Sequence, residues 1–210
     1  MSNLDLALQW MSANADRDVI FVGDYINRGL GSRQVIERLI DFREAHPQGV
    51  TFLRGNHEGA LLEWLIHGNN SAFLAHGGLS TVRSYVTDAT CGAMIRFVKE
   101  FPPVHAQFLQ ATSLAYETDD VLVSHAGLDR GRPNERSEDI LVYGRHQLSV
   151  FDNPPPGKVA KRFIFGHYVQ KSMTPFFGRG GPVCIDTGCG TLPGGLLTVY
   201  LHPEGKYYQF

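Results

Sequence analysis

Apolar residues recur along the chain in two rhythms. From Ser2 to Ala13 they fall at Leu4, Ala7, Leu8 and Met11, the i, i+3, i+4, i+7 spacing of a helix face, with Ser2 or Asn3 placed to cap it. Val35, Ile36, Leu39 and Ile40 mark a second helix, and a third is expected to start near Glu58. Between these stretches sit short unbroken apolar runs: Val19–Val22, Val50–Leu53, Val121–Ser124, Phe163–Phe165 and Val183–Ile185. Leu196–Leu201 and Tyr207–Phe210 read as closing strands. The region from His76 to about Ala115 reads as mostly helical, broken at the Gly77-Gly78 and Pro102-Pro103 pairs. Strands without polar alternation are buried on both faces, so their alternation with helices predicts an α/β fold with a covered sheet. Asp129–Asp139 and Asp152–Lys158 read as polar surface loops.

The 210 residues show no internal repeat or low-complexity tract and suffice for one domain. Lys and Arg number 19 against 21 Asp and Glu, a formal charge of -2, which leaves no basic footprint for nucleic acid and no polybasic membrane anchor. No apolar run is long enough to span a membrane, and the start MSNLDLALQW has no basic region followed by an apolar stretch. Three cysteines (Cys91, Cys184, Cys189) do not make a disulfide framework, so a reducing cytoplasm is expected. Neither Cys184 nor Cys189 is followed six positions on by arginine, so a thiol nucleophile of the Cys-x5-Arg kind is unsupported. The 23 glycines and 11 prolines point to many tight loops, the places where active sites are often built.

Four of the strand-like runs end in a residue able to bind a metal. VIFV leads into Gly23-Asp24, TFLR into Gly55-Asn56-His57, VLVS into His125 and FIF into Gly166-His167. Ligands collect outside the carboxyl ends of strands in open α/β sheets, so these side chains are expected to converge. One such histidine alone is ordinary; four donors in the same position of the pattern are not. Oxygen and imidazole donors without thiolates suit Mn, Fe or Zn.

Gly23–Gly29 (GDYINRG), Gly55–Glu58 (GNHE), His125–Gly127 (HAG) and Gly166-His167 together resemble the phosphoprotein phosphatase branch of the metallophosphoesterases, especially the small bacterial serine/threonine phosphatases. Tyr143–Arg145 (YGR) is similar to that family's Trp-x-Arg, and Asp186–Gly188 (DTG) with Gly194–Thr198 (GGLLT) is similar to its C-terminal signature. The resemblance runs in family order along nearly the whole chain. It implies a β-sandwich flanked by helices, four layers in the order αββα, forming a single domain over 1–210. It further implies a metal-dependent phosphomonoesterase, with Mn2+ as the expected ion, acting on a phosphorylated protein or a small phosphate ester. Asp24 would bridge two metals, and Asn56, His125 and His167 would complete one site. His57 would be the general acid, with Asn27 beside it, while Arg28, Arg145 and Arg54 would hold or approach the phosphoryl oxygens. Such types suit the chemistry: guanidinium groups match phosphate oxygens, and an imidazole titrating near neutrality can protonate a leaving alkoxide. A dinucleoside polyphosphate hydrolase is the nearest rival among enzymes. A one-metal protein that binds phosphorylated ligands without turnover is the rival from another class.

Two departures from the resemblance stand out. The family's first motif, GDxHG, which gives an Asp and a His to the other metal from a strand preceding the first helix, has no counterpart before Asp24. The domain is therefore expected to be truncated at its N-terminus, without its first strand. His46, His67, His76, His105, His146 and His202 have no ligand-like context as replacements. Asn27 stands where the family has an Asp that orients the acid histidine, so Asn27→Asp is expected to favour turnover of phosphoserine peptide over an activated aryl phosphate.

Overall fold

The computed structural model describes residues 2–14, 16–86, 92–129, 132, 134–144, 161–178 and 181–210. The first helix, α1 (Asn3–Ser12), is capped by the Ser2 hydroxyl, which accepts from the Asp5 amide while the Asp5 carboxylate accepts from the Ser2 amide. Then follow β1 (Val19–Phe21), α2 (Ser32–Ala45), β2 (Val50–Phe52) and α3 (Asn56–His67). The middle of the chain supplies α4 (Ser71–Ala75), α5 (Leu79–Tyr85), α6 (Ala93–Glu100) and α7 (Pro103–Gln110). Beyond it lie β3 (Ala115–Glu117), β4 (Val121–Ser124), α8 (Glu138–Leu141), β5 (Arg162–Phe165), β6 (Phe176–Phe177), β7 (Pro182–Cys184), β8 (Thr198–Leu201) and β9 (Lys206–Gln209). The expected α/β alternation is present. The two-residue β6 and three-residue β3 were not legible as strands, being too short to carry a period. The Asp152–Lys158 loop lies outside the described residues.

β3–β7 form one sheet in the order β3-β4-β5-β7-β6, parallel at its centre and antiparallel at both edges. β1 pairs in parallel with β2, and β8 pairs antiparallel with β9. Side-chain alternation assigns the layers. Val121, Val123, Ile164 and Val183 pack toward Ile20, Val22, Ile185 and Tyr200, whereas Leu122, Phe163, Phe165 and Cys184 face Leu128 and Leu141 beside α8. Val19, Phe21, Leu197 and Val199 face the large core made with the helices. The layers therefore run helices, β1–β2 with β8–β9, the five-stranded sheet, and α8, which is the four-layer αββα arrangement.

The second layer is interrupted. A cavity of about 1280 Å³ lies between β1 and β8; residues of both strands line it, and none of β2 or β9 does. Its roof carries Leu4, Trp10 and Met11 of α1, and its floor Val121, Val123 and Ile164. Close-packed interiors leave few voids larger than a water molecule, so this is an architectural gap.

Candidate metal centre

The chain turns sharply where β1 ends. Gly23 has φ +97°, and a Cβ on it would lie 2.6 Å from the Gly55 amide nitrogen and 2.9 Å from His125 Nδ1, so only glycine lets the ends of β1 and β2 approach. Asp24 follows at φ +60°, a left-handed conformation held by Glu58. The buried Glu58 carboxylate accepts from the amides of Asp24 (2.8 Å), Tyr25 (2.8 Å) and Gly55 (2.9 Å), stapling the two strand ends to the first turn of α3. Burial and the neighbouring Asp24 charge push the Glu58 carboxyl up to about 8, against the pull of those three N–H groups.

Asn56 and His57 open α3, so the turn that Glu58 fixes delivers both. His125 follows β4, and His167 follows β5 at φ +63°. His125 Nδ1 donates to the Val22 carbonyl at 2.8 Å, which turns Nε2 toward the centre. That nitrogen lies 3.1 Å from Asn56 Oδ1, 3.1 Å from His167 Nδ1 and 3.4 Å from Asp24 Oδ1; His167 Nδ1 lies 3.0 Å from Asn56 Oδ1. The ligand atoms of Asp24, His125 and His167 all fall within 4.8 Å of one another.

This donor set fits a divalent cation. Ligand distances of about 2.0–2.2 Å set neighbouring donors on the order of 3.0–3.6 Å apart in tetrahedral or octahedral geometry. Burial and His125 push His167 down to about 4, keeping its ring neutral. Burial alone would raise the Asp24 carboxyl, but His125, His57 and His167 hold it below its ordinary value.

The other expected site residues divide. His57 is buried, with Nδ1 bonded to the Ile26 carbonyl at 3.1 Å and Nε2 3.8 Å from Asp24 Oδ2; burial lowers its pKa. Asn27 does not reach it. The Asn27 Oδ1 accepts from Thr81 Oγ1 at 2.7 Å and its amide meets Ser32 and Thr81, so it pins the loop to α2 and α5. Arg28 is exposed near the centre and donates to Thr191 Oγ1 at 2.9 Å. Arg54 turns away, its guanidinium engaged by Thr112, the Gln110 carbonyl and Glu138. Arg145 lies outside the described residues. Two groups were missed as site residues although their motifs were read. Glu58 organises the strand ends, and half-buried Asp186 lies close enough for the Asp24 charge to act on it, its Oδ1 accepting from the Gly188 amide at 3.1 Å. His76, set aside as context-free, stacks on His57 with ring centroids 5.1 Å apart.

The sequence profile of the calcineurin-like phosphoesterases matches residues 2–171. The chain belongs to that family. This phosphoesterase domain is 36% identical over 73 residues to the serine/threonine-protein phosphatase PP2A-like PPG1 of Saccharomyces cerevisiae, a stretch covering 35% of this chain and 20% of that one. Among solved structures, it is similar to a Saccharomyces cerevisiae protein serine/threonine phosphatase with similarity to human phosphatase PP5 (TM-score 0.49, 16% identity, covering 91% of this chain and 69% of that one). It is also similar to a metallophosphoesterase from Sphaerobacter thermophilus (TM-score 0.46, 16% identity, covering 97% and 82%). No helix among the described residues is long and apolar enough to cross a membrane.

Proposed function

We propose that this phosphoesterase is a metal-dependent phosphomonoesterase acting on phosphoserine or phosphothreonine in proteins. The observation that carries the reading is the convergence of Asp24, Asn56, His125 and His167 from four strand ends, with His125 Nε2 3.1–3.4 Å from a ligand atom of each of the other three. A divalent cation there, Mn2+ in our reading with Fe or Zn as the alternatives, supplies positive charge that polarises a phosphoryl oxygen and lowers the pKa of a water.

The chain's own groups supply the rest. Arg28, exposed beside the centre, holds phosphoryl oxygens through its forked donors, and Arg145 is assigned the same role from the sequence. Because His57 Nδ1 is committed to Ile26, the ring presents Nε2 to the centre, and that atom gives its proton to the leaving alkoxide. Burial disfavours the imidazolium, which sharpens its acidity once formed. The three-cysteine composition supports a reducing, cytoplasmic setting.

A second reading has its own observation. The described residues gather donors for one cation, and the metal-ligating histidine and carboxylate cluster found among them is a single one. A one-metal protein holding a phosphorylated ligand without hydrolysing it accounts for that. Loading with Mn2+, counting bound ions by mass spectrometry and assaying a phosphoserine peptide separates the two. Turnover that falls on His57→Ala supports the enzyme. Stoichiometric metal and peptide binding without turnover supports the binder. Failure to retain any ion overturns both.

A further inference from the structure

The residue that follows α4 is a histidine outside the cation centre. His76 comes one helical turn after the fully buried Phe73, and on α3 Trp64 comes two turns after His57, so each pair shares a helix face. The two faces meet twice. Phe73 packs on Trp64 with ring centroids 5.2 Å apart, and His76 lies over His57 at 5.1 Å with the ring planes inclined by 26°. Both separations are those of offset-stacked rings. The chain then turns tightly, since a Cβ on Gly78 would run into the Phe73 ring, and this fixes where His76 can stand.

His57 needs such a neighbour. Among the described residues its ring makes one hydrogen bond, Nδ1 to the Ile26 carbonyl, while Nε2 stands 3.8 Å from Asp24 Oδ2, beyond hydrogen-bond reach. One bond at one corner leaves a ring free to pivot about it, because the χ2 torsion of histidine has a broad minimum. Asn27, expected to steady the ring, is turned to Thr81. His76 presents a flat face instead. Its Nδ1 is shielded from solvent without a hydrogen-bond partner among the described residues, although buried polar atoms are nearly always bonded. The face of this ring, and not that nitrogen, is what the fold uses. The same corner also holds the other restraint. A Cβ on Gly77 would lie 3.4 Å from Arg28 Cγ, and Thr81 of α5 bonds both the amide and the side chain of Asn27, so this corner packs on the loop that supplies the Ile26 carbonyl.

We propose that His76 is a positioning residue: its ring face and the Ile26 carbonyl together hold the His57 ring, with Nε2 presented to the cation centre. The in-plane bond sets which nitrogen faces the centre, and the stack sets the tilt of the ring. This deepens the phosphatase reading, on which the role of His57 as proton donor to the leaving alkoxide rests. Its consequence there is selective. An alkoxide leaving group needs a proton delivered at a fixed place, whereas an activated aryl phosphate leaves without one, so loosening the ring penalises the first substrate and spares the second.

The test compares His76→Ala, His76→Gln and His76→Phe in the full chain by two readouts. In the Zn2+-loaded protein with labelled histidines, the His57 Nδ1 proton (identified by its loss in His57→Gln) is expected to exchange with water about three- to tenfold faster in the Ala and Gln variants. The Phe variant keeps an aromatic face and is expected to restore the wild-type rate, while the His125 Nδ1 proton, bonded to Val22, does not change in any of them. With Mn2+, kcat on a phosphoserine peptide is expected to fall about ten- to a hundredfold in the Ala and Gln variants at unchanged KM, against under about threefold on an aryl phosphate. Unchanged His57 proton exchange in His76→Ala overturns the proposal. So does a Phe variant as impaired as Ala, an equal loss on both substrates, or a loss of Mn2+ affinity in calorimetry, each of which would make His76 a support of the whole centre. A wild-type protein that turns over neither substrate sinks the phosphatase reading alone, and the exchange rates then decide for or against the ring clamp.

Discussion

The two strand layers of this domain are made of the same material and end up in different states. In the five-stranded sheet, β4 is buried at every position, β7 likewise, and β5 at three of four. In the other layer, β1 reads Val-Ile-Phe, as apolar as any, yet all three residues are only half-buried, and β8 is buried at one position of four. Both have covered faces; what differs is the edges. A central strand has a neighbour on each side, whereas β1 has β2 on one side and the cavity on the other. The comparison shows that an apolar run does not by itself secure full burial: β1 falls short of it along the edge that borders the cavity.

The candidate metal centre lies where the two layers meet, and Glu58 ties β1 to β2 there at their carboxyl ends. Removing that tie gives the largest expected effect. Glu58→Ala leaves three amides unpartnered and is expected to cost about 3–5 kcal/mol in urea unfolding, with loss of Mn2+ binding by calorimetry. Gly23→Ala comes next, at about 2–4 kcal/mol, since its Cβ meets the Gly55 backbone and its φ is left-handed. Wild-type metal affinity in both variants would show that the strand ends are held by something other than this contact.

The contrast between the layers is sharpened by a matched pair of smaller truncations. Val183→Ala, in the fully buried β7, is expected to lose about 2–3 kcal/mol as transfer and cavity terms add. Val199→Ala, half-buried where the helical core borders the cavity, removes atoms that are only partly packed and is expected to cost under about 1 kcal/mol. Equal losses would mean that β8 is packed as tightly as β7 and that the cavity is closed in solution.

Much of this was legible before any coordinates. The strand ends could be read because a metal-binding side chain follows an apolar run in each case, with a glycine before it in three of the four, and strand-end convergence is a property of α/β topology rather than of distant packing. The four layers followed from the resemblance, and side-chain alternation in β4, β5 and β7 shows why those sequences satisfy it. Glu58 was quoted within GNHE but not recognised as the staple, since nothing in sequence says that an acid one residue beyond His57 turns back to three amides. The stacking of His76 on His57 joins α4 to α3 through the fold of the helical region and has no sequence period. The cavity that separates β1 from β8 came only from the structure.

The smallest expected effect concerns Asn27, where the structure reverses the reading from sequence. An aspartate was expected to improve the acid step by supporting His57, on the premise that residue 27 touches the ring. Instead the ring's Nδ1 is taken by the Ile26 carbonyl, and the Asn27 side chain points to Thr81, with its Nδ2 buried and without a partner among the described residues. A carboxylate introduced there keeps Thr81 as a donor and gains no imidazolium as a counter-charge. Asn27→Asp is therefore expected to leave the ratio of phosphoserine-peptide to aryl-phosphate turnover unchanged, and to leave the His57 Nδ1 proton resonance where it is. A downfield shift of that proton would show that the loop swings Asp24–Arg28 around to bring residue 27 onto the ring. Such a swing would also break the Glu58 contacts to Asp24 and Tyr25, so it would weaken the cation site as it strengthened the acid.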